Sequence, residues 1–103
     1  MVMFYVYIIY SKAFDKYYIG SSSNPWKRIK KHNTSKFNTY TSKYRPWEIV
    51  AIFQTGKTRG EAETAEKFIK KQKSRSLILK LINPEFKPTG KLAQLVRVPH
   101  VRD

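Results

Sequence analysis

Phe4-Tyr5-Val6-Tyr7-Ile8-Ile9-Tyr10 is aromatic or β-branched at every position. A half-wet strand alternates apolar and polar residues, so an unbroken run of this kind reads as a strand covered on both faces, central in its sheet. Outward from it, Ser11 to Lys16 is polar and carries Asp15. Tyr17-Tyr18-Ile19 then resumes the strand composition until Gly20, which predicts an antiparallel hairpin. Trp47 to Phe53 is a further apolar β-type run and predicts a third strand.

Helices are expected between and after these strands. In Ser21-Ser22-Ser23-Asn24-Pro25, a capping side chain at Ser23 or Asn24 precedes Pro at the first helical position, where no amide hydrogen is missed. The helix so begun runs to about His32, with Trp26 and Ile29 as its apolar contacts and Arg28 and His32 stacked four apart on an adjoining face. Asn33 to Arg45 reads as an irregular basic loop with Phe37, Tyr40 and Tyr44 interleaved. Thr58 or Arg59 opens a second helix to about Lys73, on which Ala62, Ala65 and Ile69 form the buried stripe. Glu66 falls on or beside that stripe, while Glu61 and Glu63 are expected to point outward. Ser76 to Ile82 is a short third helix stopped by Asn83-Pro84. The reading is one α/β (α+β) domain over residues 1–87, a small three-stranded, antiparallel-rich sheet flanked by helices in the order β-β-α-β-α-α. Residues 88–103 are expected to form a flexible C-terminal tail.

Composition narrows the function. The chain has 103 residues, with 21 Lys and Arg against 7 Asp and Glu, a net charge of +14. An excess of that size repels itself unless a polyanion is near, so nucleic acid is the first partner to consider. Zero cysteines exclude disulfides, thiolate zinc sites and cysteine nucleophiles, and make the cytoplasm the expected location. His32 and His100 are too far apart in sequence for a His-rich zinc site to be expected. No apolar run is long enough to span a membrane. If the protein is an enzyme, its chemistry rests on carboxylates, tyrosines, two histidines and basic groups.

Those groups match phosphodiester hydrolysis, which needs a positioned water, an acceptor for its proton, a cation for the charge building on phosphate, and usually a metal. Tyr7 sits in the first strand and Tyr18 in its partner, Arg28 and His32 share a helix face, and Glu66 is the acid on an inward helix surface. Taken singly, each has a plainer reading. The tyrosines suit strand cores, Arg28 a solvated helix, His32 a helix end, and Glu66 an ion pair with Lys70 at i+4.

As an ordered set they resemble the GIY-YIG nuclease family. Tyr5-Val6-Tyr7 stands at the first triad, where Tyr5 replaces Gly and Val6 replaces Ile, and Tyr18-Ile19-Gly20 is the second triad unaltered. Pro25 to His32 looks like the family's Arg-and-His helix, and Glu61 to Lys70 like its metal-binding helix. The likeness covers about residues 3 to 83 and is closest to small stand-alone proteins similar to the nuclease domain of the excinuclease ABC C subunit. It implies a metal-dependent endonuclease acting on DNA, RNA not being excluded, with one divalent ion, Mg2+ or Mn2+, held by Glu66. Tyr7 would take the water's proton, Arg28 would neutralise transition-state charge, and Tyr18 and His32 would orient water or phosphate. Many members carry an Asn after the metal-binding helix, and here Asn83 alone is available for that place.

Nucleic-acid binding is expected from Lys27, Lys30, Lys31, Lys36, Lys43, Arg45, Lys67 and Lys70, whose phosphate contacts hold any sequence. No second module for sequence recognition is visible. Cutting is therefore expected to be structure-specific or nonspecific, of the kind DNA repair or recombination uses, with a protein partner for targeting as one route. The alternative is a DNA- or RNA-binding module that keeps the fold with weak turnover. The stretch Leu92 to Arg97 back-translates as UUA GCU CAG UUG GUU AGA, which looks like the D-arm region of a transfer RNA gene. On that reading the frame runs into such a gene, and residues from about Gly90, His100 included, carry no selected function.

Overall fold

β1, Phe4–Ser11, is bonded on both sides in the computed structural model, to β2, Lys16–Ser22, and to β3, Glu48–Gly56, both antiparallel. The structure describes residues 2–34 and 39–99; Lys36, Phe37 and His100 lie outside the described residues. The central placement expected from the apolar run is observed. Between the strands lie α1, Pro25–Thr34, and a short α2, Tyr40–Lys43; α3, Arg59–Gln72, and α4, Arg75–Ile82, follow β3. None of the helices among these residues is long and apolar enough to cross a membrane.

The helix boundaries follow their caps. The Asn24 side chain accepts from Lys27 N at 3.0 Å, ahead of the buried Pro25. Thr58 accepts from Glu61 N and in turn donates to the Glu61 carboxylate, while Ser74 accepts from Leu77 N. Lys73 ends α3 in the left-handed conformation, with φ 48°. Residues 40–43, expected as part of an irregular loop, turn once as helix instead, with Thr39 and Ser42 closing a capping box.

A fourth strand, β4, Val96–Val98, pairs antiparallel with β3 and gives the sheet order β2-β1-β3-β4. This corrects the three-stranded sheet and also the detached tail. Leu92 and Leu95 are 5% and 6% exposed and belong to the main core. Arg97 lies over the Phe53 ring and donates to the carbonyls of Leu81 and Asn83, which caps the C-terminal end of α4. Three residues are too few to show a strand period, so their role depends on β3 being there to receive them.

Each face of the sheet carries its own helices. Val6, Ile8, Ile19, Ala51 and Phe53 point to one side, where Ala65 and Ile69 of α3 and Leu81 of α4 cover them. Tyr7, Ile9, Ile52 and Trp47 form the other face, under Trp26 and Ile29 of α1. Alternation along β1 thus sends Val6 and Ile8 to α3 and sends Tyr7 and Ile9 to α1.

Candidate active site

The site begins with a pairing. Tyr7 and Gly20 are direct partners across β1 and β2, so their side positions fall on the same face. Gly20 has no side chain, and the Tyr7 ring lies in the space this leaves. A Cβ at Gly20 would overlap the Tyr7 hydroxyl and the ring carbon that bears it. A tyrosine rooted in the central strand therefore reaches across the edge strand. There it meets a cavity of about 250 Å3 lined by Tyr18, Ser21, Arg28 and Glu66 together with Gly20, Glu63 and Lys67. The cavity sits at the open edge of β2, where α1 from one face of the sheet and α3 from the other approach each other.

From α1, the i,i+4 spacing delivers Arg28 and His32 to the same side, as the sequence pattern requires. His32 is 7% exposed, and its Nε2 lies 2.8 Å from the Tyr7 hydroxyl. The Tyr18 ring meets the His32 ring edge-on at 5.4 Å. Burial lowers the His32 pKa to about 4, helped by the charges of Arg28 and Arg45, so the imidazole is neutral at pH 7. Burial likewise pushes the Tyr7 hydroxyl above the ordinary tyrosine value, and the Arg28 guanidinium is the main influence opposing it; the Tyr18 and Glu66 charges act in the same direction as burial. The tautomer of His32 decides its effect. With the proton on Nδ1, Nε2 accepts from the Tyr7 hydroxyl; with the proton on Nε2, the imidazole donates and favours the phenolate.

From α3, Glu66 stands beside the buried stripe of Ala62, Ala65 and Ile69 with both carboxylate oxygens engaged. Ser21 Oγ donates to Oε1 at 2.6 Å, and Lys70 Nζ donates to Oε2 at 2.7 Å. Lys70 also lies over the Tyr18 ring, 5.0 Å from its centroid. Among the described residues no three of His, Cys, Asp and Glu gather in one place, so no nitrogen- or sulfur-rich metal cage is built. The donors on the cavity are oxygens: the carboxylates of Glu66 and Glu63 and the hydroxyls of Ser21, Tyr7 and Tyr18. That set suits a hard divalent ion that keeps several waters. The Lys70 ammonium forms with Glu66 Oε2 the i,i+4 ion pair that the plainer reading of Glu66 expects.

The five residues singled out in the sequence all reach this place, four on the cavity wall and His32 behind Tyr7. Two others went unrecognised. Glu63, expected to point outward, lines the cavity because it stands three residues before Glu66 and four before Lys67 on one helix face. The sequence pattern places Ser21 in a helix start and ends β2 at Gly20. Instead β2 continues to Ser22, and the pair Val6–Ser21 aims Ser21 toward α3. Its signal in the sequence is the two-residue offset from Ile19, which puts both on one face of a strand. Asn83 does not line the cavity. It closes α4, and its Oδ1 accepts from Glu85 N at 3.0 Å in a local turn.

The expected phosphate contacts divide. Lys27, Lys30 and Lys31 are exposed on α1, Lys43 is exposed at the end of α2, and Lys67 is on the cavity wall. Arg45 is half-buried and donates from Nε to the His32 carbonyl at 2.7 Å, which ties down the chain at the site. Lys36 lies outside the described residues.

No curated protein matches the chain. The family model for the GIY-YIG catalytic domain matches residues 3–80, three quarters of the length and the whole span from which the cavity is built. Members of that family are nucleases. With the two tyrosines, the α1 arginine and the α3 glutamate of the matched segment brought to a single cavity, the chain belongs to the GIY-YIG family.

Proposed function

We propose that this protein is a metal-dependent endonuclease that hydrolyses phosphodiester bonds in DNA without sequence preference, using Mg2+ or Mn2+. The observation that carries the reading is the convergence of the Tyr7 hydroxyl, the Arg28 guanidinium and the Glu66 carboxylate on one cavity of about 250 Å3. Glu66 would hold the divalent ion, and Glu63 is a further carboxylate on the same cavity. A bound divalent ion supplies positive charge to the scissile phosphate and acidity to the attacking water.

Tyr7 accepts that water's proton as a phenolate. Arg28 favours the phenolate directly, and His32 does so in the tautomer that carries its proton on Nε2. The Glu66 charge opposes it. Arg28 is exposed at the cavity mouth and bonds phosphate oxygens through its planar fork as charge builds on them. Tyr18 orients the phosphate, and Ser21 fixes the rotamer of Glu66.

Nicking of supercoiled DNA in Mg2+ or Mn2+ tests the reading. Tyr7→Phe and Arg28→Gln are each expected to slow cutting by about 10^2 to 10^4-fold. Glu66→Gln is expected to abolish it with DNA binding kept within about threefold. Undiminished cutting by Glu66→Gln would show that the site is wrong. Tight binding by the wild type with no metal-dependent nicking would leave a binding module in place of an enzyme.

A further inference from the structure

A second and larger hollow, of about 510 Å3, is lined by residues of β2, α3 and α4 together with Tyr40. Tyr18 lines both. Lys70 lines the larger one while its Nζ bonds Glu66 in the smaller. None of the roles assigned above uses this groove. We propose that it binds an unpaired nucleotide of a single-stranded DNA flank next to the scissile phosphate; the proposal rests on the nuclease reading and names the class of substrate that the site takes.

The chemistry of the groove is that of a base and its phosphate. Ile19, Ile69 and Ile78 give it an apolar floor between β2, α3 and α4. Tyr40, 46% exposed, stands at its side with its ring stacked on Tyr18 at 6.0 Å and 27°. Flat aromatic surface beside cations is how proteins hold unpaired bases, since every base has a face to stack. The cations are present on the rim. Lys73 makes no ion pair among the described residues, and Lys70 stands between the groove and Glu66. One acid, Asp15, also lines the groove. Its charge is matched by Arg75 at 2.6 Å, and it accepts from the Tyr10 hydroxyl, so it does not leave a bare anion facing a phosphate.

The apolar floor is what selects for an unpaired strand. A surface that only tracks a duplex backbone needs cations and amides, not a recess of isoleucines and tyrosines. Bases in a duplex are stacked inside and offer no face to such a recess. A volume of this size accepts a group as large as a nucleotide. Tyr18 borders both hollows and Lys70 links the recess to Glu66, so a nucleotide seated in the recess would neighbour a phosphate held in the smaller cavity.

The test measures anisotropy of labelled DNA in EDTA, where nothing is cut, with the full-length chain. Three ligands are compared: a paired duplex, the same duplex with a short single-stranded flap, and that flap with abasic sugars. The expected order is flap tighter than duplex by about tenfold, with most of the gain lost when the bases are removed. Tyr40→Leu, which keeps apolar packing but removes the aromatic face, and Lys73→Asn, which tolerates the left-handed helix end, should each cut the flap preference by about threefold to fivefold and leave duplex affinity within about twofold. Equal affinity of the wild type for all three ligands overturns the proposal. So does an abasic flap that binds as tightly as the intact one, since that is phosphate binding alone. A flap preference without metal-dependent nicking keeps the groove and removes the nuclease reading, and nicking without a flap preference does the reverse.

Discussion

Gly20 shows how one missing side chain can bring a tyrosine hydroxyl to a cavity. Its Cα position is covered by the Tyr7 ring, so no other residue fits without moving that ring. Gly20→Ala is expected to lower stability by about 1 to 3 kcal/mol in urea denaturation, from overpacking, and to lose nicking activity because the hydroxyl is displaced from the cavity. A variant with wild-type stability and activity would mean that Tyr7 has another way to lie. His32 makes a second residue-scale prediction. An unfolded chain protonates this imidazole near its ordinary 6.5, whereas the folded chain resists until about 4. Between those values the unfolded state binds more protons, so stability falls as pH drops through that window, by on the order of 2 to 3 kcal/mol. Melting temperatures measured from pH 7 to pH 4 should show the fall, and His32→Gln should flatten it. If the variant keeps the same slope, His32 is not the group responsible. The pattern Arg28-x-x-x-His32 was readable as a shared helix face. That His32 would be sealed against Tyr7 was not, because burial depends on β1 lying beneath α1.

Among the elements, the stretch from the 3-10 turn at Gly90–Leu92 to β4 differs most from its sequence reading. Its apolar residues have no period of their own, yet Leu92 and Leu95 fill the core beneath α3 and α4 and Arg97 caps α4. Leu92→Ala and Leu95→Ala should each cost about 2 to 4 kcal/mol, read from urea midpoints, against a negligible change for the exposed Gln94→Ala. Losses no larger than that of Gln94→Ala would restore the idea of a tail that adds nothing to the domain. The other elements were legible because each carries its own local physics. Asn24 and Thr58 are side chains that satisfy free amides at helix starts, and Ala62, Ala65 and Ile69 recur at helical spacing; the Ser74 cap, one residue before α4, is seen only in the structure.

Across the whole molecule, charge and topology work together. Exposed lysines on α1 and α2 lie on one side of the β2 edge, and Lys67 and Lys70 of α3 on the other, so the cavity lined by Glu66 and Arg28 lies between two sources of positive charge. A DNA strand held there by about five phosphate contacts should lose roughly 10^2 to 10^3-fold in affinity between 50 and 200 mM salt. A titration across that range checks it, and affinity that does not respond to salt would place the contacts elsewhere. The net charge of +14 foretold such a partner but not where it would lie.

From the linear pattern alone followed the central strand, the hairpin and three of the four helices, and the ordered set of Tyr7, Tyr18, Arg28, His32 and Glu66 followed from its likeness to a known family. The elements are set by residues within a few positions of one another, through hydrogen bonding at caps and the alternation of buried and exposed faces. Packing in three dimensions settled the rest: that β2 lies at the edge, that Glu63 and Ser21 face the cavity, that Asn83 does not, and that a three-residue strand closes the far side of the sheet. These depend on which elements become neighbours, and a side chain's surroundings come from distant parts of the chain that no local period records.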